Sequence, residues 1–430
     1  MFFIMRAQST SLHSRKSKHS MKQKQKTVLS LLALEVSASL LFAGCTPKTS
    51  SAVSSSLPPS ETSSSVLDSS FSLSSSLPES QHNPYSNPTY PIVNGNKTAT
   101  YMADPYVLRD DDGYFYLYCT QTYVYTTDNL SDGKKFQRCP IFRSTDCVNW
   151  KYYGNVFDGY EPTWGTSGAG VWAPTVYKIG DTYNFYYALS TGGDKNPGIG
   201  LATSPTPYGP WTHQGKLFDS DGIGVVNSID PYVFVDDGHV YMAFGSFGGY
   251  ITLIELTADG KGLLNGLDYQ KENKVKLAGY GINDVNNYEA TIILKKNGYY
   301  YLFLSTGTCC SGSSSTYHVV VSRSENVAGP YTDSQGRDMF HPNHGDSVVV
   351  PSMSGVMGPG HCGLIEDDLG EVWMIYHGYD TKDTSHSEDR VLYLDKLIFG
   401  DTGYPHVDTY KASDHVTKNG PYLNSLEANQ

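Results

Sequence analysis

Asp104, Asp230, Glu289 and His361 each stand eight or nine residues ahead of a glycine that opens an aromatic, strand-like run. The runs are Tyr114-Phe115-Tyr116-Leu117-Tyr118 after Gly113, Val240-Tyr241-Met242-Ala243-Phe244 after Gly238, Tyr299-Tyr300-Tyr301-Leu302-Phe303 after Gly298, and Val372-Trp373-Met374-Ile375-Tyr376 after Gly370. A fifth copy places Trp172 eight residues before Gly180 and Tyr183-Asn184-Phe185-Tyr186-Tyr187. Equivalent positions of a repeat occupy equivalent positions in space, so three carboxyls and an imidazole are expected to converge on one axis. Such a set can hydrolyse a glycosidic bond. One carboxylic acid protonates the leaving oxygen, and one carboxylate activates water or attacks carbon. A third acid nearby raises the pKa of the proton donor by like-charge repulsion. An isolated Asp-Pro pair reads first as a turn element, because Asp bonds its own backbone there. Asp104-Pro105 and Asp230-Pro231, joined by Glu289 at the same phase, read instead as catalysis. Trp172 in the fifth copy shows that the repeat itself does not require an acid.

The elements that must position these residues are strands. From about residue 83, short runs rich in Tyr, Val, Phe and Ile alternate with Gly, Asp, Asn and Pro clusters, with no sustained helical period. The opening glycines lie 67, 58, 60 and 72 residues apart. A supersecondary unit repeated five times predicts an all-β, five-bladed β-propeller over residues 83–430. Each unit reads as an inner strand, a tight turn (Asp236-Asp237-Gly238 or Lys296-Asn297-Gly298), an aromatic second strand and a third strand. Gly209-Pro210-Trp211 and Gly329-Pro330-Tyr331 mark further turns. At roughly 70 residues per blade, against ~40–50 in common propeller repeats, the units leave room for loops that carry specificity. Residues 84–102 are expected to lend a strand to the last blade and close the ring.

The set Ala103-Asp104-Pro105-Tyr106-Val107-Leu108, Trp172-Ala173-Pro174, Ile229-Asp230-Pro231 and Glu289-Ala290 resembles glycoside hydrolase family 43 over about residues 95–410. Asn227-Ser228-Ile229-Asp230-Pro231, Phe244-Gly245-Ser246-Phe247, the Cys309-Cys310 pair and Gly358-Pro359-Gly360-His361 look like the arabinan endo-hydrolases of that family. The resemblance implies a five-bladed propeller acting on arabinan or xylan. It makes Asp104 the general base, Glu289 the general acid, and Asp230 the group that tunes and orients the acid. It also implies inversion at the anomeric carbon, with the Asp104 and Glu289 carboxyls about 6.5–9.5 Å apart to admit a water. His361 matches a histidine that holds a metal ion, often calcium, in the central cavity; since Ca²⁺ takes about 6–8 oxygen ligands, waters would complete the shell. A plain hydrogen-bonding role in the channel is the other reading of His361. Trp172 offers a flat wall for a furanose ring, and Asn227 and Ser246 are candidates to bond hydroxyls; core packing or turn satisfaction explains these three equally. Four positions depart from the arabinanase pattern: Ala103 for His, Gly248 for Trp, Val171 for a bulkier residue and Cys362 for Asn. They leave endo or exo action open.

Residues 1–45 read as an export signal. Basic residues from Arg15 to Lys26 precede a short apolar stretch that ends in Ala43-Gly44-Cys45. That ending resembles a bacterial lipoprotein box, which implies acylation of Cys45 and an anchor on the extracellular face of the cell membrane. Met21 would start a signal of ordinary length. Residues 46–82 are dominated by Ser and cannot bury enough surface to offset ordering entropy, so they are expected to form a disordered tether. Residues 1–45 hold seven Lys/Arg against Glu35 alone, which leaves 24 basic and 42 acidic residues in the rest. A body this acidic repels nucleic acid and polyanionic substrates. It suits a neutral plant polysaccharide, bound by a monomer. The 34 tyrosines fit both strands and stacking on sugar rings. Cys119, Cys139, Cys147, Cys309, Cys310 and Cys362 show no CxxC spacing, which argues against zinc, and buried thiols are expected for most of them. The leading expectation is therefore an endo-acting α-1,5-L-arabinan hydrolase. Its alternatives are an exo-acting arabinofuranosidase or β-xylosidase, and a non-catalytic glycan-binding lipoprotein.

Overall fold

The computed structural model describes residues 82–424 apart from 94–95, 98–100, 128, 280–286, 354 and 385–386. The expected signal, its Cys45 and nearly all of the Ser-rich tether lie outside the described residues. The last tether position, His82, already opens a strand, His82–Ser86, paired with Thr417–Tyr422.

Five antiparallel sheets follow in chain order. Blade I is built from Tyr106–Arg109, Phe115–Tyr118, Pro140–Ser144 and Lys151–Asn155, and blade II from Gly170–Ile179, Thr182–Ser190, Gly198–Ser204 and Thr212–Asp219. Blade III uses Tyr232–Asp236, His239–Phe244, Ile251–Leu256 and Val275–Ala278; blade IV uses Tyr288–Lys296, Tyr299–Thr306, His318–Ser324 and Asp346–Val349. Blade V has three strands, Val356–Glu366, Val372–Asp380 and Val391–Lys396. The expected five-bladed propeller is the observed fold. The first hairpins of blades III and IV turn on Asp237-Gly238 and Asn297-Gly298, all four residues at positive φ. That is the two-residue turn whose twist matches the flanking strands.

Strand alternation holds the blades together. Phe115 and Leu117 face blade V, where they pack with Trp373, Ile375 and Leu392. Tyr116 and Tyr118, one residue out of phase, face blade II and pack with Val176, Phe185 and Tyr187. The same period of two fills the seams of blades II with III, III with IV and IV with V. Five hydrophobic clusters thus serve five seams. The ring closes differently from expectation. The described residues among 84–102 lend blade V no strand; Thr89 makes an isolated antiparallel bridge to Leu392. Beside it, the buried Asn87 side chain accepts from the Leu394 N–H and donates to the Leu394 carbonyl and the Ser413 hydroxyl. A side-chain amide there does the work of a strand backbone.

Candidate active site

The innermost strands start on one face of the propeller, and every start carries a non-glycine residue in the left-handed region: Asp104, Ala173, Asp230, Ala290 and His361, with φ between 41° and 57°. Register shifts accompany it in blades II, IV and V. Such a bulge re-aims a side chain out of the ladder. The bulge also refines the expected equivalence. Trp172 and Glu289 stand one residue ahead of the left-handed position, whereas Asp104, Asp230 and His361 occupy it. The candidate set is therefore presented from two adjacent backbone positions, not one. Asp104, Trp172, Asp230, Glu289 and His361 nonetheless line a common cleft of about 320 Å³, with Arg390 and Cys309-Cys310 completing its wall.

Hydrogen bonds across the seams fix these side chains. The Thr120 hydroxyl donates to Asp104 Oδ2 at 2.6 Å and accepts from the Ala173 N–H at 2.9 Å, tying blade I to blade II. The Asp104 N–H donates to His377 Nδ1 at 3.1 Å, tying blade I to blade V. Asp230 Oδ2 accepts from the Ala290 N–H, and Ser246 of blade III donates to Glu289 Oε2 at 2.6 Å. The Tyr317 hydroxyl donates to the other Glu289 oxygen at 2.7 Å, and Ser305 accepts from the His361 N–H. Each reactive group is held by at least one neighbouring strand.

Electrostatics separate the three carboxyls. Burial opposes ionisation of Asp104, but attraction from His361, Arg390 and His377, with the Thr120 hydrogen bond, outweighs it and holds this carboxyl well below the usual range. Burial lowers both imidazoles against the attraction of Asp104, and the Arg390 guanidinium lies 3.4 Å from Asp104 Oδ1. Asp230 moves the other way. Burial first, then repulsion from Glu289 and Asp104, pushes it up. Glu289 is raised by burial and by Asp104 against the hydrogen bonds from Ser246 and Tyr317. Asp230 and Glu289 are thus displaced upward and Asp104 downward within one cleft. Carboxyls pushed apart in this way suit division into an acid and a base.

The remaining candidates divide. Trp172 lines the cleft. Ser246 is engaged with Glu289, which makes it a positioning residue for the acid. Asn227 spends its side-chain N–H on the Phe247 carbonyl at 3.1 Å and pins the turn before Asp230. Cys309 and Cys310 are joined as a vicinal disulfide; Cys119, Cys139, Cys147 and Cys362 are buried free thiols. His361 turns Nδ1 toward Asp104 Oδ1 at 3.2 Å, which leaves Nε2 for a cation. One imidazole nitrogen fits an ion whose other ligands are water, not one held by a protein cage. Among the described residues, the group of three side chains with metal-ligand spacing is Asp380, Asp414 and His415, and there Lys382 Nζ already lies 2.6 Å from Asp414.

Thr120, Tyr317, His377 and Arg390 escaped the sequence reading as site residues. A second repeat phase marks some of them: Thr120, Ser246, Ser305 and His377 lie seven or eight residues after the hairpin glycines Gly113, Gly238, Gly298 and Gly370. Tyr317 and Arg390 each immediately precede the third strand of their blade. Strand ends on the catalytic face are where such partners must come from.

A propeller whose inner strands bring an aspartate displaced downward beside two carboxyls displaced upward has the layout of a hydrolase of glycosidic bonds. The model of Glycosyl hydrolases family 43 matches residues 89–405. The chain belongs to that family. It is 33% identical over 296 residues to an extracellular exo-α-(1→5)-L-arabinofuranosidase of Cellvibrio japonicus, covering 65% of this chain and 82% of that protein. It is 30% identical over 276 residues to an extracellular endo-α-(1→5)-L-arabinanase of Bacillus subtilis, covering 61% and 77% respectively. The structure superposes on the α-L-arabinanase of Cellvibrio cellulosa complexed with arabinohexaose at a TM-score of 0.61 and 30% identity, over 73% of this chain and 96% of that one.

Proposed function

We propose that the protein degrades arabinan, cleaving α-1,5-L-arabinofuranosyl linkages within the chain by an inverting mechanism. The observation that carries this is the convergence of Asp104, Asp230 and Glu289 on one cleft, the first displaced downward and the other two upward. The polymer is taken from relatives named for α-(1→5)-linked L-arabinan chemistry. In the reaction, Asp104 accepts a proton from a water as the water oxygen bonds the anomeric carbon. The glycosidic C–O bond breaks on the opposite face, and Glu289 gives its proton to the departing oxygen. Burial and Asp104 push Glu289 up toward its protonated form, and Asp230, by accepting from the Ala290 N–H, fixes the backbone that carries the acid. Trp172 and the Cys309-Cys310 ring supply apolar walls for furanose rings.

Glu289→Gln and Asp104→Asn should each lower kcat/KM on linear arabinan by ~10²–10⁴, with the fold intact by circular dichroism. Early products that form a ladder of oligosaccharides support internal cleavage. Arabinose alone from the first time point moves the assignment to exo action, the activity in the name of the Cellvibrio japonicus relative. Binding without turnover makes the protein a glycan-binding module. A calcium ion on His361 would add positive charge over Asp104 and order the channel waters. Its removal by chelation should lower the melting temperature of the wild type but not of His361→Ala. Acylation of Cys45 would hold the enzyme at the cell surface, and Cys45→Ser should then appear in the medium instead of the membrane fraction.

A further inference from the structure

A second cavity, about 620 Å³, opens on the outer wall where blade I meets blade II. None of the residues lining it lines the catalytic cleft. Its floor is aromatic. Tyr153, on the outermost strand of blade I, and Tyr208, in the turn between the last two strands of blade II, are each 40% exposed. Their rings meet edge to face at 5.2 Å, and the Arg143 guanidinium lies 4.1 Å from the Tyr153 ring centre. Behind them, His213 stacks on Tyr160 at 3.9 Å and on Phe157 at 4.9 Å. These rings are held rigidly, so a ligand that stacks on them orders little that is not ordered already.

The polar groups of the same wall are left over. His213 Nδ1, Trp211 Nε1 and Asn155 Oδ1 are buried and have no hydrogen-bond partner. A buried polar atom left unpaired costs ~1–3 kcal/mol, so three on one wall call for a partner. The set mixes a donor, an acceptor and an imidazole whose pKa burial lowers. A hydroxyl, which donates and accepts, complements all three. Asp158 is the one charged side chain of the lining, and Arg143 against Tyr153 offsets it, so the wall carries no excess charge that would select an ionic ligand. Aromatic faces, hydroxyl-matching groups and near-neutrality describe the chemistry of a sugar. The volume falls within the ~300–1,000 Å³ of ligand sites.

We propose that this wall is a second, non-catalytic binding site for a segment of neutral polysaccharide, namely another stretch of the polymer that the cleft cleaves. The identity of the polymer rests on the arabinan assignment; the existence of the site does not. Two anchorage points on one molecule raise the effective concentration of chain at the cleft without new contacts there.

The test uses the full chain carrying Glu289→Gln, with and without Tyr153→Ala plus Tyr208→Ala, run by affinity electrophoresis in gels of linear arabinan, arabinoxylan or no polysaccharide. The double substitution should weaken retardation at least fivefold in the gel of whichever polymer the wild type hydrolyses. In the active background it should leave kcat/KM on a short oligosaccharide within twofold, which also reports that the variant folds. Trp211→Phe, which keeps a ring and deletes the donor, should give a smaller loss of the same sign. If the wild type cleaves arabinoxylan and not arabinan, the arabinan assignment falls and the wall site is scored on the arabinoxylan gel. Equal retardation of parent and double variant in both gels overturns the wall site whichever polymer is cleaved. So does no retardation of the parent, or an equal loss of short-oligosaccharide turnover.

Discussion

Glu289 carries two hydroxyl partners, and they work against the proton-donor role we propose for it. Hydrogen bonds from Ser246 and Tyr317 lower its pKa, while burial and Asp104 raise it, and the net displacement is upward. A general acid must enter the reaction protonated, so kcat/KM should fall as pH rises through this displaced pKa. Tyr317→Phe removes one of the two lowering contacts. The alkaline limb of the pH–rate profile should then move to higher pH, with the fold unchanged. A limb that stays put, or moves down, would show that another group governs it. Of these residues, Glu289, Asp104 and Asp230 were legible in the sequence because a repeat exposes the odd acid against the register of strands. Tyr317 and Arg390 were not. A tyrosine among 34 and an arginine before a strand carry no local mark, and their meaning is set by the seam they face.

At the scale of the strand, the device that matters is the left-handed residue at the start of every inner strand. A non-glycine residue there costs on the order of 1–3 kcal/mol, and the fold accepts it five times around one axis. Ala290 is the informative position, since its N–H holds Asp230 and its neighbour is Glu289. Ala290→Gly should leave stability within about 1 kcal/mol of the wild type, because lost strain and added chain entropy offset each other. Ala290→Val should cost ~1–3 kcal/mol, since a β-branched residue is a genuine outlier at positive φ. Urea unfolding of the two variants checks this, and similar midpoints would mean the bulge relaxes freely. The strands themselves were legible from alternation, and the turns at Asp237-Gly238 and Asn297-Gly298 from their residue types. The bulge was not, because nothing in Trp172-Ala173 or Glu289-Ala290 announces which residue turns left-handed. The sequence alignment of the repeat therefore slipped by one at those two places.

For the molecule as a whole, closure of the ring falls to a few residues before the first blade. Asn87 is buried and makes three bonds to Leu394 and Ser413. Asn87→Ala leaves both Leu394 backbone groups without that partner and should cost about 3 kcal/mol, given ~1–3 kcal/mol for each buried group left unpaired. Deletion of residues 1–81 removes none of these bonds and should leave the melting temperature and the activity of the propeller as they are. Thermal unfolding of the two variants side by side separates closure from tether. A deletion that destabilises as much as Asn87→Ala would place structure where the composition predicts none.

What the amino-acid sequence determined by itself was whatever repeats: five sheets, the spacing of their hairpins, and three acids within one residue of a common phase, since periodicity survives in a single chain without knowledge of contacts. What only the tertiary structure decided was whatever depends on two neighbouring blades at once. The low pKa of Asp104 comes from side chains some 260 to 290 positions away in sequence, His361, His377 and Arg390 of the last blade. The upward displacement of Glu289 and Asp230 comes first from burial that no local pattern encodes. Electrostatic interaction depends on distance and dielectric, and both are created only when the ring has closed.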